Sequence, residues 1–151
     1  MNFYKAASTL TITGGKISGG TAANGGNVFI SGYSVAATLN ITGGTIENGT
    51  ATTGELCNKK LMVKESYDGA NIFATSATVN ISGGMITDND GGNAVLAFTS
   101  KTERPAVVNL TVAGNEALAN ALDGKVYLVS GAVLNTDLGA TVKDSDGDEV
   151  W

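Results

Sequence analysis

Three stretches of the chain share one alternation of apolar and polar residues, at positions 9–17, 38–46 and 78–86. In each stretch two apolar residues, such as Leu39 and Ile41, alternate with small polar residues, and a Gly-Gly pair follows. A period of two indicates a strand with one apolar face. Glycine reaches positive φ without steric cost, so the pair predicts a sharp corner between short strands. The isoleucine after each corner is predicted to point back inward, and these residues are Ile17, Ile46 and Ile86.

The repetition of this unit predicts a solenoid. A single copy cannot bury its apolar face, whereas stacked copies can, because each copy lies on the next and hydrogen-bonds to it in register. A degraded fourth copy occupies residues 109–115. The stack should therefore bring Ile12, Ile41 and Ile81 together as buried residues of successive copies.

Each repeat also contains a second apolar stretch, which we interpret as a second strand on the same core. Aligning these stretches places one set of residues inside: Val28, Ile30, Ile72, Ala74, Ala94, Leu96, Val126 and Leu128. It places another set outside: Phe29, Phe73, Val95 and Tyr127. The preceding column consists of Asn27, Asn71 and Asn93, with Lys125 below, and stacked asparagines of this kind can hydrogen-bond as a structural ladder.

The chain has 151 residues, enough for one domain with its own core. Residues 1–130 are predicted to form the stacked coils. Residues 131–151 are predicted to form a C-terminal cap or hairpin, because a solenoid needs an atypical end unit. The spacing from Leu39 to Val79 exceeds that from Leu10 to Leu39, and this predicts a loop insertion at residues 54–68.

Composition narrows the functional classes. The net charge is −5 and histidine is absent, so the basic footprint of a nucleic-acid-binding protein is missing. No apolar run is long enough to span a membrane, so no membrane insertion is expected. The single cysteine, Cys57, cannot form an internal disulfide. The first residues lack the apolar stretch of a secretion signal, and we therefore expect a segment with flanking domains in a larger chain.

The glycine corners carry a resemblance to a known family. The sequences Gly14-Gly15-Lys16-Ile17, Gly43-Gly44-Thr45-Ile46 and Gly83-Gly84-Met85-Ile86 resemble the Gly-Gly-x-Ile repeats of large bacterial surface proteins with the pectin-lyase-like architecture. The resemblance covers residues 9–130 and implies an all-β fold, a right-handed parallel β-helix solenoid of about four coils with a C-terminal cap. It also implies an extracellular or cell-surface location. Proteins with this architecture serve as adhesins, stalks, glycan binders and carbohydrate-active enzymes.

The outward row of Phe29, Phe73 and Tyr127 is a candidate binding site. Exposed aromatic rings form a platform for sugar rings or for a partner protein. Two alternatives remain open: the strands face the other way, or a loop covers the row.

Two acidic residues, Asp68 and Asp90, occupy matching places before the second strands. Neighbouring carboxylates could hold Ca²⁺ with loop carbonyls, or act as an acid/base pair in glycan cleavage. The alternative is turn chemistry, since aspartate favours such turns. Neither histidine nor a cluster of basic residues completes a catalytic set, so we expect no enzyme activity, no cofactor and no metal site.

The sequence therefore favours a non-enzymatic cell-surface or secreted module that displays loops for a glycan or a surface protein. The alternative is a fragment of a pectin-lyase-like carbohydrate-active enzyme. A third and weaker hypothesis is ice binding by the outward polar rows, in which asparagine interrupts the threonines: Thr9, Thr11, Thr13, Thr38, Asn40, Thr42, Thr78, Asn80 and Ser82.

Overall fold

A computed structural model describes residues 6–22, 25–51, 71–87, 94–139, 141–143 and 148–150 of the chain, the last two segments as backbone only. These residues form an all-β structure with parallel sheets and one short helix. The insertion predicted at residues 54–68 lies outside the described residues.

The three sequence repeats become the three long strands, which are β1 Ser8–Ser18, β4 Ala37–Glu47 and β7 Thr78–Thr87. They pair in parallel and in register, so that Leu10 lies beside Leu39 and Leu39 beside Val79. The sequence predicted that each glycine pair separates two strands, and this prediction is wrong. Each strand continues through its pair, with a register irregularity there and a positive φ at the second glycine. The pair therefore acts as a bulge within one strand.

Close backbone contacts explain why these positions are glycine. A Cβ atom on Gly43 would lie 2.3 Å from the carbonyl oxygen of Thr13, and one on Gly83 would lie 2.4 Å from that of Thr42. Each bulge thus nests against the strand of the preceding repeat. A side chain at either position would force the two strands apart.

The long strands belong to a six-stranded sheet in the order β1-β4-β7-β9-β11-β12. The added strands are β9 Val107–Leu110, β11 Val133–Thr136 and β12 Thr141–Lys143. β9 and β11 continue the parallel pairing, whereas β12 pairs antiparallel with β11. Parallel pairing thus extends past residue 130, where the sequence placed the start of the cap; the division into coils and cap stays a prediction.

A second sheet has five strands in the order β13-β10-β8-β6-β3. Its parallel strands are β3 Val28–Ser31, β6 Ile72–Thr75, β8 Val95–Phe98 and β10 Val126–Val129. The last strand, β13 Asp148–Val150, runs antiparallel to β10. A small third sheet joins β2 Thr21–Ala22 to β5 Thr50–Ala51.

The register of β8 differs from the sequence alignment by one residue. Phe73 lies beside Leu96 rather than Val95, and Val95 and Ala97 belong to the main core. The predictions of an inward Leu96 and an outward Val95 are therefore wrong. The cause is the uniformly apolar run at residues 94–98, in which a period of two has no polar residue to fix its phase.

The main core is built from columns of equivalent residues. Ile12 lies beside Ile41, Ile41 beside Ile81, and Ile81 beside Leu110, and all four are buried. The predicted stacking of the isoleucines is confirmed. The isoleucines after the glycine pairs also face this core, with Ile46 and Ile86 fully buried and Ile17 partly buried.

A helix, α1 Glu116–Leu122, interrupts the fourth repeat and was not predicted. The side chain of Asn115 caps it by accepting a hydrogen bond from the Leu118 amide at 3.2 Å. Leu118 and Leu122, four residues apart, are buried in the main core, and the helix packs against β7. The sequence signal was present as an asparagine before an alanine-rich stretch with leucines at helical spacing.

Candidate functional site

Four asparagines form a continuous ladder on the outer face of the six-stranded sheet. The ladder comprises Asn40, Asn80, Asn109 and Asn135, and the Nδ2 of each of the last three donates to the Oδ1 of the asparagine on the neighbouring strand at 2.8 Å. We call it the surface ladder. Its members alternate with core residues along β4, β7, β9 and β11, so their side chains point away from the core.

The surface ladder fixes the stacking register. A shift of one residue along β7 or β9 would break two of these side-chain hydrogen bonds and bring apolar residues to the outside. In the sequence alone, Asn40 and Asn80 interrupt a row of threonines. The signal for a ladder was asparagine at the same place in three repeats, at positions 40, 80 and 109.

A second ladder, the turn ladder, contains Asn27 and Asn71. The Asn27 Nδ2 donates to the Asn71 Oδ1 at 2.6 Å, which confirms this part of the predicted column. Asn93 lies outside the described residues, and the register places Ala94 beside Asn71.

The turn ladder satisfies backbone groups at the ends of the long strands. The Asn71 Oδ1 accepts from the Gly49 amide at 2.7 Å, and its Nδ2 donates to the Thr87 carbonyl oxygen at 2.5 Å. Asn27 makes the equivalent bonds one repeat earlier, to the amide of Gly20 and the carbonyl of Glu47. Asn71 is fully buried, so its amide replaces solvent for groups that would otherwise be unpaired.

The candidate aromatic row is mostly buried. Phe73 is 3% exposed and Tyr127 is 6% exposed, so the prediction that both are accessible is wrong. They point away from the main core, as predicted, but pack with Leu96, Phe98 and Val129 in a second apolar cluster. Five large apolar side chains on one outer face gain more by packing together than by facing water.

Phe29 is the accessible member of the row, at 49% exposed. Its ring stacks on that of Phe73, with 5.5 Å between the centroids and 7° between the planes. A single exposed ring at the end of a sheet is a much smaller platform than the predicted row. Its role in binding stays a prediction.

Asp68 and Asp90 lie outside the described residues, so their proximity and their roles stay predictions.

Among the described acidic residues, Asp137 has the clearest structural role. Its carboxylate accepts hydrogen bonds from the amides of Val112 at 2.8 Å and Ala113 at 3.0 Å. The bond from Val112, supported by that from Ala113, lowers the pKa of Asp137 despite the opposing effect of desolvation. Asp137 thus holds the chain where the fourth repeat leaves the strand pattern.

A cluster of hydroxyl side chains connects the loops after β6 and β8. The Thr75 hydroxyl donates to that of Ser100 at 2.7 Å, and Ser100 donates to Ser76 at 3.1 Å. Ser76 also accepts from the Lys101 amide, and Thr99 accepts from that of Ala106. These bonds fix loops; within the described residues, no ionisable base is hydrogen-bonded to these hydroxyls, so the cluster lacks the geometry of an activated nucleophile.

Charged side chains near the strand ends also serve local structure. The Lys16 Nζ lies 2.6 Å from a carboxylate oxygen of Glu47, and the Arg104 guanidinium donates to the Gly32 carbonyl oxygen.

The part of the chain that the structure describes contains no grouping of three or more His, Cys, Asp or Glu residues suited to a metal ion. It also contains no helix long and apolar enough to cross a membrane. The chain matches no protein-family model, no curated protein and no solved structure.

Proposed function

We propose that the chain is a right-handed parallel β-helix that serves as a non-enzymatic, cell-surface or secreted scaffold and displays loops for a glycan or a surface protein. One observation carries the proposal: the polar residues that repeat along the chain form ladders between strands. A scaffold needs such residues for register, whereas an enzyme needs them free for substrate.

The order of the strands supports the β-helix. Along the chain, strands of the six-stranded and five-stranded sheets alternate from β3 to β11, and each pairs in parallel with its equivalent in the next repeat. A chain that winds in this way around one core follows a helical path. Parallel connections of this kind are right-handed in nearly all proteins, which supports the handedness.

The glycine bulges and turn ladder support the display of loops. They fix the long strands and the strand ends of each repeat independently of the connecting segments, so a connection can lengthen without changing the register. The insertion predicted at residues 54–68 is the longest such connection. We propose that this loop, with Phe29, Asp68 and Asp90, provides the contacts for a glycan or protein partner.

The alternative is a carbohydrate-active enzyme fragment, and an activity assay separates the two. The proposal expects no hydrolysis or elimination of polygalacturonate and other plant or host glycans. Turnover by the intact protein would contradict it if an Asp68→Asn, Asp90→Asn double variant folded normally and lost that turnover. A Glu103→Gln, Asp123→Asn double variant, at two exposed acids, would control for loss of acidic charge elsewhere.

A binding experiment tests the display role directly. Residues 55–66 would be replaced by a short Gly-Ser linker, and both proteins would be applied to an array of immobilised glycans. We expect the same circular dichroism spectrum for both and a loss of glycan signal in the variant. A shortened protein that binds as the intact chain does would exclude the loop as the displayed element.

A further inference from the structure

The turn between β4 and β5, at residues 48–49, combines two residues whose types the fold restricts. Asn48 is exposed and has a φ of 54°, in the left-handed region that asparagine tolerates better than most residues. Gly49 follows it and is buried. A Cβ atom at Gly49 would lie 2.6 Å from the Oδ1 of Asn71, so the turn ladder leaves room for glycine alone. The fold therefore places an asparagine directly before a glycine, and we call this pair the Asn-Gly turn.

An asparagine before a glycine can undergo a reaction that needs no enzyme. Once its proton is removed, the Gly49 nitrogen attacks the Cγ of Asn48, and the side-chain nitrogen takes up a proton and leaves as ammonia. Water then opens the resulting succinimide, which gives aspartate or isoaspartate at position 48. Glycine favours the attack because it has no Cβ to hinder the approach. Every other asparagine among the described residues precedes a larger residue, as Asn40 precedes Ile41.

The turn ladder blocks the first step of this reaction. The Gly49 amide donates to the Oδ1 of Asn71 at 2.7 Å, and Asn71 is fully buried. Hydroxide therefore reaches the Gly49 proton only after this hydrogen bond has opened. The next amide, that of Thr50, donates to the Gly20 carbonyl oxygen at 2.8 Å. Both peptide groups of Gly49 are thus held in place while the turn is intact.

We propose that Asn48 is a site of spontaneous deamidation that the turn ladder keeps closed, so that the reaction proceeds only when the Asn-Gly turn opens. Neither product restores the original contacts. Isoaspartate lengthens the backbone before Gly49, and both products place a carboxylate where the Asn48 Nδ2 donates to the Glu47 carboxylate at 3.2 Å. Repulsion between like charges then replaces a hydrogen bond. Deamidation therefore marks molecules in which the turn has opened, and this inference is independent of the proposed scaffold function.

Incubation of the intact chain at mildly alkaline pH tests the proposal, with peptide mapping by mass spectrometry as the readout at Asn48. The reference is the same chain unfolded in guanidinium chloride. We expect deamidation in the folded chain to be at least about tenfold slower than in this reference. Asp123→Asn provides a matched control, because it creates a second Asn-Gly pair whose glycine, Gly124, is exposed. In the folded variant, the new pair should react faster than Asn48.

Asn71→Ala tests the role of the turn ladder itself. It removes the acceptor of the Gly49 amide, so we expect Asn48 to deamidate about tenfold faster than in the wild type. A general loss of stability would also raise the rate. Leu134→Ala controls for this loss, because it removes a fully buried side chain in another repeat and leaves the turn intact. We expect its rate to stay within about twofold of the wild-type rate.

Amide hydrogen exchange gives a second measurement that requires no substitution. Exchange at Gly49 and deamidation at Asn48 both begin when hydroxide removes the same proton, so both depend on opening of the same hydrogen bond. We expect folding to slow the deamidation at least as strongly as it slows the exchange of this amide, measured by NMR. This comparison decides the question if Asn71→Ala fails to give the wild-type circular dichroism spectrum.

Several results would overturn the proposal. Equal deamidation of Asn48 in the folded and unfolded chains would show that the turn is not closed. Equal acceleration by Asn71→Ala and Leu134→Ala would assign the protection to the whole fold rather than to the turn ladder. The same conclusion would follow if the pair created by Asp123→Asn reacted no faster than Asn48. Slow exchange at Gly49 together with unhindered deamidation would exclude the hydrogen bond to Asn71 as the barrier.

Discussion

Leu10 and Leu134 occupy one column of the six-stranded sheet, connected through Leu39, Val79 and Val108, yet Leu10 is 42% exposed and Leu134 is fully buried. The two leucines have the same chemistry and the same place in the alternation. The elements beyond them differ. Past Leu134 the chain adds the antiparallel strand β12, whereas no described strand lies beyond Leu10.

The contrast extends to the other elements near the last repeats. The antiparallel strand β13 covers β10, and α1 packs against β7. A parallel repeat does not terminate itself, because each strand leaves an edge ready for another. Ending the stack requires elements of another type, and these lie at one end of the described structure.

The largest loss of stability is expected in the middle of the stack. Ile41→Ala removes a buried side chain with strands on both sides, so we expect a loss of about 2–5 kcal/mol in the free energy of unfolding. Urea unfolding followed by circular dichroism measures it. A loss below about 0.5 kcal/mol would show that the column does not hold the repeats together.

The two ends of the column should respond unequally to the same change. Leu134→Ala should also cost about 2–5 kcal/mol, because its neighbours cannot fill the cavity. Leu10→Ala should cost about 1 kcal/mol or less in the monomer, since much of that side chain already faces water. Unfolding at a protein concentration where the chain is monomeric compares them. Equal losses would mean that Leu10 is covered in solution.

The asparagine ladders offer a smaller contrast. Asn71→Ala leaves the Gly49 amide and the Thr87 carbonyl buried without their partner, and we expect a loss of about 1–3 kcal/mol. Asn109→Ala removes a half-buried rung whose neighbours can bond to water, so a loss of about 0.5–1.5 kcal/mol is expected. Thermal or urea unfolding measures the two losses. A larger loss for Asn109→Ala would show that the surface ladder contributes more to stability than the turn ladder, contrary to our expectation.

Asp137 should give the smallest effect, visible through pH. Because the Val112 and Ala113 amides lower its pKa in the folded protein, its contribution is present above the ordinary aspartate range and is lost as the pH falls through the folded pKa. The wild type should therefore lose more stability than Asp137→Asn between neutral pH and strongly acidic pH. If the stability of both proteins falls in parallel with pH, the charge of the Asp137 carboxylate does not contribute to stability.

The sequence predicted what repetition determines. Ile12, Ile41 and Ile81 stack because three copies carried the same alternation, and Asn27 pairs with Asn71 because the aligned second strands placed them together. Each such position is over-determined, since its neighbours above and below impose the same requirement. These positions could be predicted because every copy of the repeat carries the same pattern.

The failures lie where repetition stops or the pattern loses contrast. In β8 the run from Ala94 to Phe98 is apolar throughout, so the buried Leu96 and the core Val95 could not be distinguished. Burial of Phe73 and Tyr127 depends on long-range packing, which alternation does not report. Asp137 acts on amides 24 and 25 residues away and occurs once, so no internal copy reveals it.

The direction of the surface ladder bears on how such a chain can lengthen by gene duplication. Asn80 donates to Asn40 and accepts from Asn109, so an interior rung presents a donor on one side and an acceptor on the other. A duplicated repeat inserted between β4 and β7 would meet on each side the partner that its parent had. Growth by whole repeats therefore requires no compensating mutation at this position, whereas the single-copy contacts of α1 and Asp137 must remain in the terminal unit.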